Sequence, residues 1–397
     1  MKSDLHLNTL EEKIQQMVGT KIRELRLALE LKSKELAVAS GISQSQLSKI
    51  EAGKAKISIK TLTQLCGILN RPLTYLFQTE ENTPRVLGTL ATIEGPEKLG
   101  FSRFADTLEE KTGGRMTLIP MKPSQLGGGA DQVRILSEGV IDMFIEDLSH
   151  YNGFAPALNF LSIPYSFKSY SHLQTFLTSP FFDEQVRRPL LAKNIRLLNT
   201  EWNWQRGIEL VLISRKIITS PQDVKGLRVR VPKEGLNARF WSKLGCHPVV
   251  VPWQEVKAAL AAKEIDVLPT HKAHLMPLGF CRYARYVTLL GGIPAAVGLA
   301  VNENKYQTLP PDVQNIVAET FMQTGSHFTE TVLAAELQNE AENIERNDAV
   351  YLKVNLSSWQ TPTEKIRQEL IDEGFLSRAV WDTISQLAPL PHSLEKA

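Results

Sequence analysis

Two arginines stand one residue apart in the stretch from Ser220 to Pro232, which reads SPQDVKGLRVRVP. Pro221 and Gly226 signal a turn. The alternation that follows predicts a short strand with Leu227, Val229 and Val231 on one face and Arg228 and Arg230 on the other. A guanidinium on a rigid strand offers a planar fork that grips a carboxylate through two parallel charge-assisted bonds. The same side chains also fit a solvated face with no chemistry, and the strand alone leaves both readings open. Other reactive residue types lack companions. His271 and His274 miss the i, i+4 spacing and have no obvious acidic neighbour, so neither a metal nor a cofactor is expected. Gly127-Gly-Gly129 lacks the Lys-Ser/Thr of a phosphate loop and reads as a helix-opening turn. No serine or cysteine sits in a nucleophile elbow or beside a base, so covalent catalysis is not expected.

The elements that must position these groups fall into two regions of different character. A chain of 397 residues with 22% charged and 43% hydrophobic residues has room for two or three ordinary globular domains. Net charge is only +2, yet residues 13–78 hold eleven Lys and Arg against four Glu, an excess suited to a phosphate backbone. No run approaches the ~18 apolar residues of a membrane span. The opening MKSDLHLNTLEE has no apolar core of a secretory signal, and Cys66, Cys246 and Cys281 have no paired spacing. These features lead us to expect reduced thiols, a cytoplasmic location and no membrane partner.

In the basic region Val18, Ile22, Leu25 and Leu29 recur at helical spacing. Ser33 reads as the cap of a second helix carrying Leu36 and Ala37 inward, and Gly41 as the tight turn after it. Ser43-Gln-Ser-Gln46 reads as a capping box opening a third helix, with Leu47 and Ile50 inside and Gln44, Ser45, Ser48 and Lys49 outside. Gly53 ends that helix. Ser58 opens a fourth with Leu62, Leu65 and Leu69 inward, and residues 72–77 form a closing turn.

This order, with IRELR at 22–26, ELA at 35–37, GIS at 41–43 and LSKIE at 47–51, resembles the XRE (Cro/repressor-like) helix-turn-helix family. The resemblance implies that the start of the third helix enters the major groove of double-stranded operator DNA. Gln44, Ser45 and Lys49 are then the candidates for base edges, with Ser48 beside them. Lys34, Lys54 and Lys56 are the candidates for phosphates. Lys32-Ser33 replaces the Ser/Thr-Gln that often opens the second helix, so Ser33 or Lys34 stands in for the usual backbone-contacting glutamine.

Residues 79–85 read as a short polar linker ending near Pro84, separating the helix-turn-helix DNA-binding domain over 1–78 from a second domain over 86–397. Beyond the linker strands and helices alternate, twice over, with similar joints at Gly139-Val-Ile-Asp142 and Glu264-Ile-Asp266. Such a pattern predicts two α/β lobes with a ligand at the strand ends. A helix is expected over about 311–345, a strand near 351–356, helices to about Leu387 and fraying beyond Pro389.

KTGGR at 111–115, QLGG at 125–128, IPYSF at 163–167, GLRVRVP at 226–232 and VPWQEV at 251–256 stand in register with solute-binding proteins of TRAP transporters, the DctP type. The resemblance runs from about Val86 to about Val354. It implies that Arg230 holds the carboxylate of a small organic acid and that Arg206 is a second ligand-facing arginine. It also implies that Trp204 and Trp253 line the cleft and that the long helix braces both lobes. Glu146 or Asp147 would receive a hydroxyl or amine. Where the family often has Asp-Gly and polar contacts, this chain has Asp266-Val-Leu-Pro-Thr270, leaving Thr270, or His271 after it, as the polar contact there.

The expectation is therefore a multidomain chain: an all-α helix-turn-helix head, then a two-lobed α/β solute-binding fold braced by a long helix. It would act as a one-component transcription regulator and homodimer, or higher homo-oligomer, sensing a small carboxylate effector. An assembly scaffold and an enzyme acting on the bound acid are the rival readings.

Overall fold

Four α-helices and a closing 3-10 turn build the head in a computed structural model of the chain: α1 (Lys2–Ala28), α2 (Ser33–Ala39), α3 (Gln44–Glu51), α4 (Ile59–Ile68) and the turn Leu73–Phe77. The structure describes residues 2–77, 85–90, 96–121, 126, 128–207, 210–232, 235–293 and 295–389. The linker at 79–84 and the expected fraying beyond 389 lie outside them. The described residues divide into two units, one of residues 1–91, 105–145 and 300–317, the other of 92–104, 146–299 and 318–397.

The head belongs to the first unit, and the spacing of apolar residues accounts for it. Val18, Ile22 and Leu25 of α1, Leu36 and Ala37 of α2, Leu47 and Ile50 of α3, and Leu62, Leu65 and Leu69 share one core. Leu29, expected inside, is exposed, because α1 stops at Ala28 and Glu30 turns the chain with φ 54°. Ser33 is the first residue of α2 rather than its cap. Lys32 holds the extended cap position, and its N–H donates to Glu35 Oε2 at 2.7 Å. Ser43 caps α3 by accepting from the Gln46 N–H at 3.1 Å, and Ser58 caps α4 in the same way from Thr61. Gly41 supplies the turn with φ 69°. Gly19 lets α1 and α3 approach closely, since a Cβ there would overlap the Ile50 carbonyl oxygen.

One buried ion pair locks the head. Arg26, counted above among the cations suited to DNA, is 9% exposed and forks onto Glu51 of α3 at 2.7 and 2.9 Å. Its Nη1 donates to the Leu31 carbonyl at 3.0 Å. Arg26 is therefore structural.

The rest of the first unit begins the α/β region. Strands β1 (Arg85–Leu90) and β2 (Met116–Met121) pair in parallel, with α5 (Pro96–Lys111) between them in sequence and α6 (Gly129–Ser137) after. The chain passes from one unit to the other along β3 (Met143–Asp147) and again along β10 (Val297–Asn302). In the first unit Asn302 donates to Leu136 O at 2.8 Å, and Lys305 pairs with Asp142 at 2.5 Å.

In the second unit β4 (Ile195–Leu197) leads to a six-stranded sheet. Its order is β11 (Val350–Lys353), β9 (Tyr286–Leu289), β5 (Leu210–Ser214), β8 (Val267–His271), β6 (Arg228–Val231) and β7 (His247–Val250). Val211, Ile213, Leu268 and Val287 from the sheet bury against Val256, Ala259 and Leu260 of a short helix at 256–261. The long helix Pro311–Asn347 starts in the first unit and continues in the second from residue 318. In the second unit it holds the 202–205 segment: Asn203 Nδ2 donates to Met322 O and Trp204 Nε1 to Phe321 O, each at 2.7 Å. The whole is a multidomain chain with a two-lobed α/β fold following a helical head.

Candidate functional site

Strand direction in the six-stranded sheet gathers the expected ligand residues at one edge. β6 runs parallel to β7 and β8, β8 is antiparallel to β5, and β5 is antiparallel to β9. The carboxyl ends of β6, β7, β8 and β9 thus lie together with the start of β5. Such an edge is where α/β sheets bind ligands. Arg230 is the next-to-last residue of β6, Trp253 follows β7, Thr270 and His271 end β8, and Arg206 precedes β5.

Arg230 is 9% exposed. Its Nε donates to the Val251 carbonyl at 2.9 Å and its guanidinium carbon lies 5.4 Å from the Trp253 ring centre. Among the described residues no carboxylate pairs with it. Burial pulls its pKa down to about 10, so at neutral pH it is still a cation, but one stripped of water and not repaid by a carboxylate. A carbonyl and a π face offset part of that cost. The outstanding demand is for an anion.

Arg228, its neighbour on the strand, has the opposite fate. It stays exposed and is tied to Asp266, Nε to Oδ2 at 3.0 Å and a terminal nitrogen to Oδ1 at 2.9 Å. The alternation therefore predicts the strand but not the separate destinies of its two arginines.

The other expected residues scatter around this point. Trp253 is half-buried beside Arg230, with its ring 5.2 Å from His274 and edge-on to Phe280 at 5.7 Å. Thr270 is buried, its Oγ1 3.2 Å from His274 Nδ1. Arg206, 4% exposed, makes a buried ion pair with Glu146 near the end of β3. Glu146 is thereby placed beside the second arginine as its counter-ion. Asp147 turns into its own chain, where Oδ1 accepts from the Ser149 N–H at 2.8 Å, and burial raises its pKa.

Trp204 corrects an expectation. It is fully buried, stacked at 4.6 Å on Phe321 and packed against Phe101, Phe104 and Phe328. A side chain with no exposed surface and a satisfied indole N–H cannot line a cleft; it is an aromatic anchor for the long helix. Lys272 and His274 were missed. Lys272 is buried and pairs with Glu340 of the long helix at 2.8 Å. The signal for both was the run Thr270-His-Lys-Ala-His274, polar residues directly after a predicted strand.

The head presents a different surface. Gln44, Ser45, Ser48 and Lys49 of α3 are exposed, as are Lys54 and Lys56 after it and Lys34 on α2, while Ser33 is half-buried. Leu47 and Ile50 hold α3 to the core from its other face. The arrangement offers solvated donors and cations on a capped helix, which is what groove and phosphate contacts require.

Known proteins match both regions. The family model for bacterial extracellular solute-binding protein, family 7 (DctP), matches residues 87–373, and a helix-turn-helix model matches residues 22–76. The 2,3-diketo-L-gulonate-binding periplasmic protein YiaO of Escherichia coli is 24% identical over 231 residues, 58% of this chain and 69% of that protein. Solute-binding protein RD1_1052 of Roseobacter denitrificans is 26% identical over 275 residues, 69% of this chain and 82% of that protein. Among solved structures, a TRAP periplasmic solute-binding protein from Sulfitobacter with bound β-D-galacturonate superimposes with a TM-score of 0.68 at 18% identity, covering 76% of this chain and 98% of that one. Among the described residues no helix is long and apolar enough to cross a membrane. The chain belongs to family 7 of the bacterial extracellular solute-binding proteins and carries a helix-turn-helix domain at its head.

Proposed function

We propose that the chain is a one-component transcription regulator: the head binds operator DNA, and the second unit binds a small organic acid that alters that binding. The observation that carries the reading is Arg230, a buried cation at the ligand edge of a solute-binding fold with no carboxylate paired to it among the described residues. The exposed face of α3 supports the DNA-binding half. The relative named for 2,3-diketo-L-gulonate supports an organic acid as ligand. A DNA-binding head implies work in the cytoplasm, although the relatives named above are periplasmic. Head domains of this type meet paired half-sites, so the working form is a homodimer or larger homo-oligomer. The effector shifts DNA affinity only by its unequal affinity for the two states of the protein. No catalysis is assigned to the bound acid.

A thermal-shift screen of organic acids, followed by duplex-DNA titrations with and without each hit at fixed salt, tests this. The expected result is one acid that raises the melting temperature and changes DNA affinity. An acid at a hundred times its Kd adds about 2.7 kcal/mol to stability. A protein that ignores duplex DNA at low salt removes the regulator, and a DNA affinity indifferent to every bound acid reduces the second unit to a scaffold.

A further inference from the structure

Counting charges at the ligand edge says more about the acid than its general class. Among the described residues three cations stand there: Arg206 before β5, Arg230 on β6 and Lys272 after β8. Two are already matched. Arg206 pairs with Glu146 and Lys272 with Glu340. A further buried carboxylate, Glu336, sits beside Gly207, its Oε1 only 3.3 Å from where a Cβ on that glycine would stand. Among the described residues Arg230 is the one cation of the three with no carboxylate paired to it.

We propose that the acid sensed by this chain carries a single negative charge, a monocarboxylate whose remainder is neutral and hydroxyl-bearing, and that dicarboxylates are rejected. This rests on the carboxylate-binding reading above and narrows it. The first carboxylate of any ligand repays the desolvated guanidinium of Arg230 through its free fork. A second would enter an edge where each remaining cation of the described residues, Arg206 and Lys272, already has a carboxylate partner. It would face Glu146, Glu340 and Glu336 as like charges and stay buried without a counter-ion of its own. Neutral polar groups do suit the edge. The Thr270 hydroxyl and the imidazole nitrogens of His271 and His274 donate or accept, and bind a hydroxyl without adding charge. Discrimination of this kind works by penalising the wrong ligand as much as by rewarding the right one.

The test compares acids that share a carbon skeleton: D-galacturonate with galactarate, D-gluconate with D-glucarate, and butyrate with succinate. Each is titrated into the full chain by calorimetry and by thermal shift at pH 7. The expected result is that a hydroxylated monoacid binds at least tenfold more tightly than its diacid. A diacid that binds as tightly as its monoacid, or more tightly, overturns the proposal and leaves the carboxylate-binding reading intact. If no acid of either kind binds, both fall. Glu146→Gln supplies a second readout, because it frees Arg206. The variant is expected to move the monoacid-to-diacid ratio at least tenfold toward the diacid, and an unchanged ratio in a folded variant also overturns the proposal. Should the variant fail to fold, the wild-type pairs decide alone.

Discussion

Two arginines of equal exposure, Arg26 in the head and Arg230 in the second unit, are buried to opposite ends. Each is 9% exposed. Arg26 is forked onto Glu51, and that hydrogen bond raises its pKa; Arg230 has one carbonyl and a π face, and burial lowers its pKa to about 10. The head thus uses its buried charge to hold α1 to α3 and keeps Gln44, Ser45 and Lys49, the groups we propose for DNA, in solvent. The second unit does the reverse and keeps the charge we propose for ligand binding, Arg230, desolvated. The reason lies in the partners. A long polyanion is bound by many solvated contacts and counterion release, whereas one small carboxylate must find a single strong, dry one.

The sharpest way to break this contrast is to truncate both arginines. Arg26→Ala leaves Glu51 buried and unpaired, so the head should lose about 3–5 kcal/mol, read by chemical unfolding followed at the head. Arg230→Met should leave the ligand-free protein as stable as the parent or more so. It should abolish the acid-induced rise in melting temperature, a loss of about 2–5 kcal/mol in binding. Equal destabilisation of the ligand-free protein by both changes would mean that Arg230 has a structural partner.

Titration sharpens the same comparison. The pKa of Arg230 is lowered from 12.5 to about 10, so the cost of burying its charge is present in full below about pH 10 and fades as pH rises above it. Acid binding needs the cation and should therefore hold at neutral pH and fall as pH passes about 10. Affinity that is flat to pH 11 would show that Arg230 keeps its proton through another partner.

Two smaller effects separate packing from recognition in the head. Gly19→Ala pushes a methyl into the Ile50 carbonyl and should cost about 1–3 kcal/mol of head stability, with DNA affinity falling in step. Lys54→Ala touches no core, and should leave melting unchanged while reducing the slope of log K against log salt by about 1. A slope that does not move takes Lys54 out of the phosphate contacts.

The head was legible almost to the residue because its signals are local. Apolar spacing, the Gly41 turn and the Ser43 and Ser58 caps act within a few positions, and the structure corrects Leu29, the α2 cap and Arg26. In the second unit the long helix and the strand of GLRVRVP were legible for the same reason, and its alternation marked Arg230, whereas β5 and β9 at the centre of the sheet were not read from the sequence.

What the amino-acid order determined by itself is the pair of folds and the presence of a strand-borne guanidinium, since both rest on neighbours in sequence. Tertiary structure alone decided which charges are matched. Glu146 and Arg206 meet across 60 positions, Arg228 and Asp266 across 38, and Trp204 finds Phe321 across 117. Electrostatics and burial depend on distance through space, and for the residues around a binding edge that distance is set only when the chain has folded.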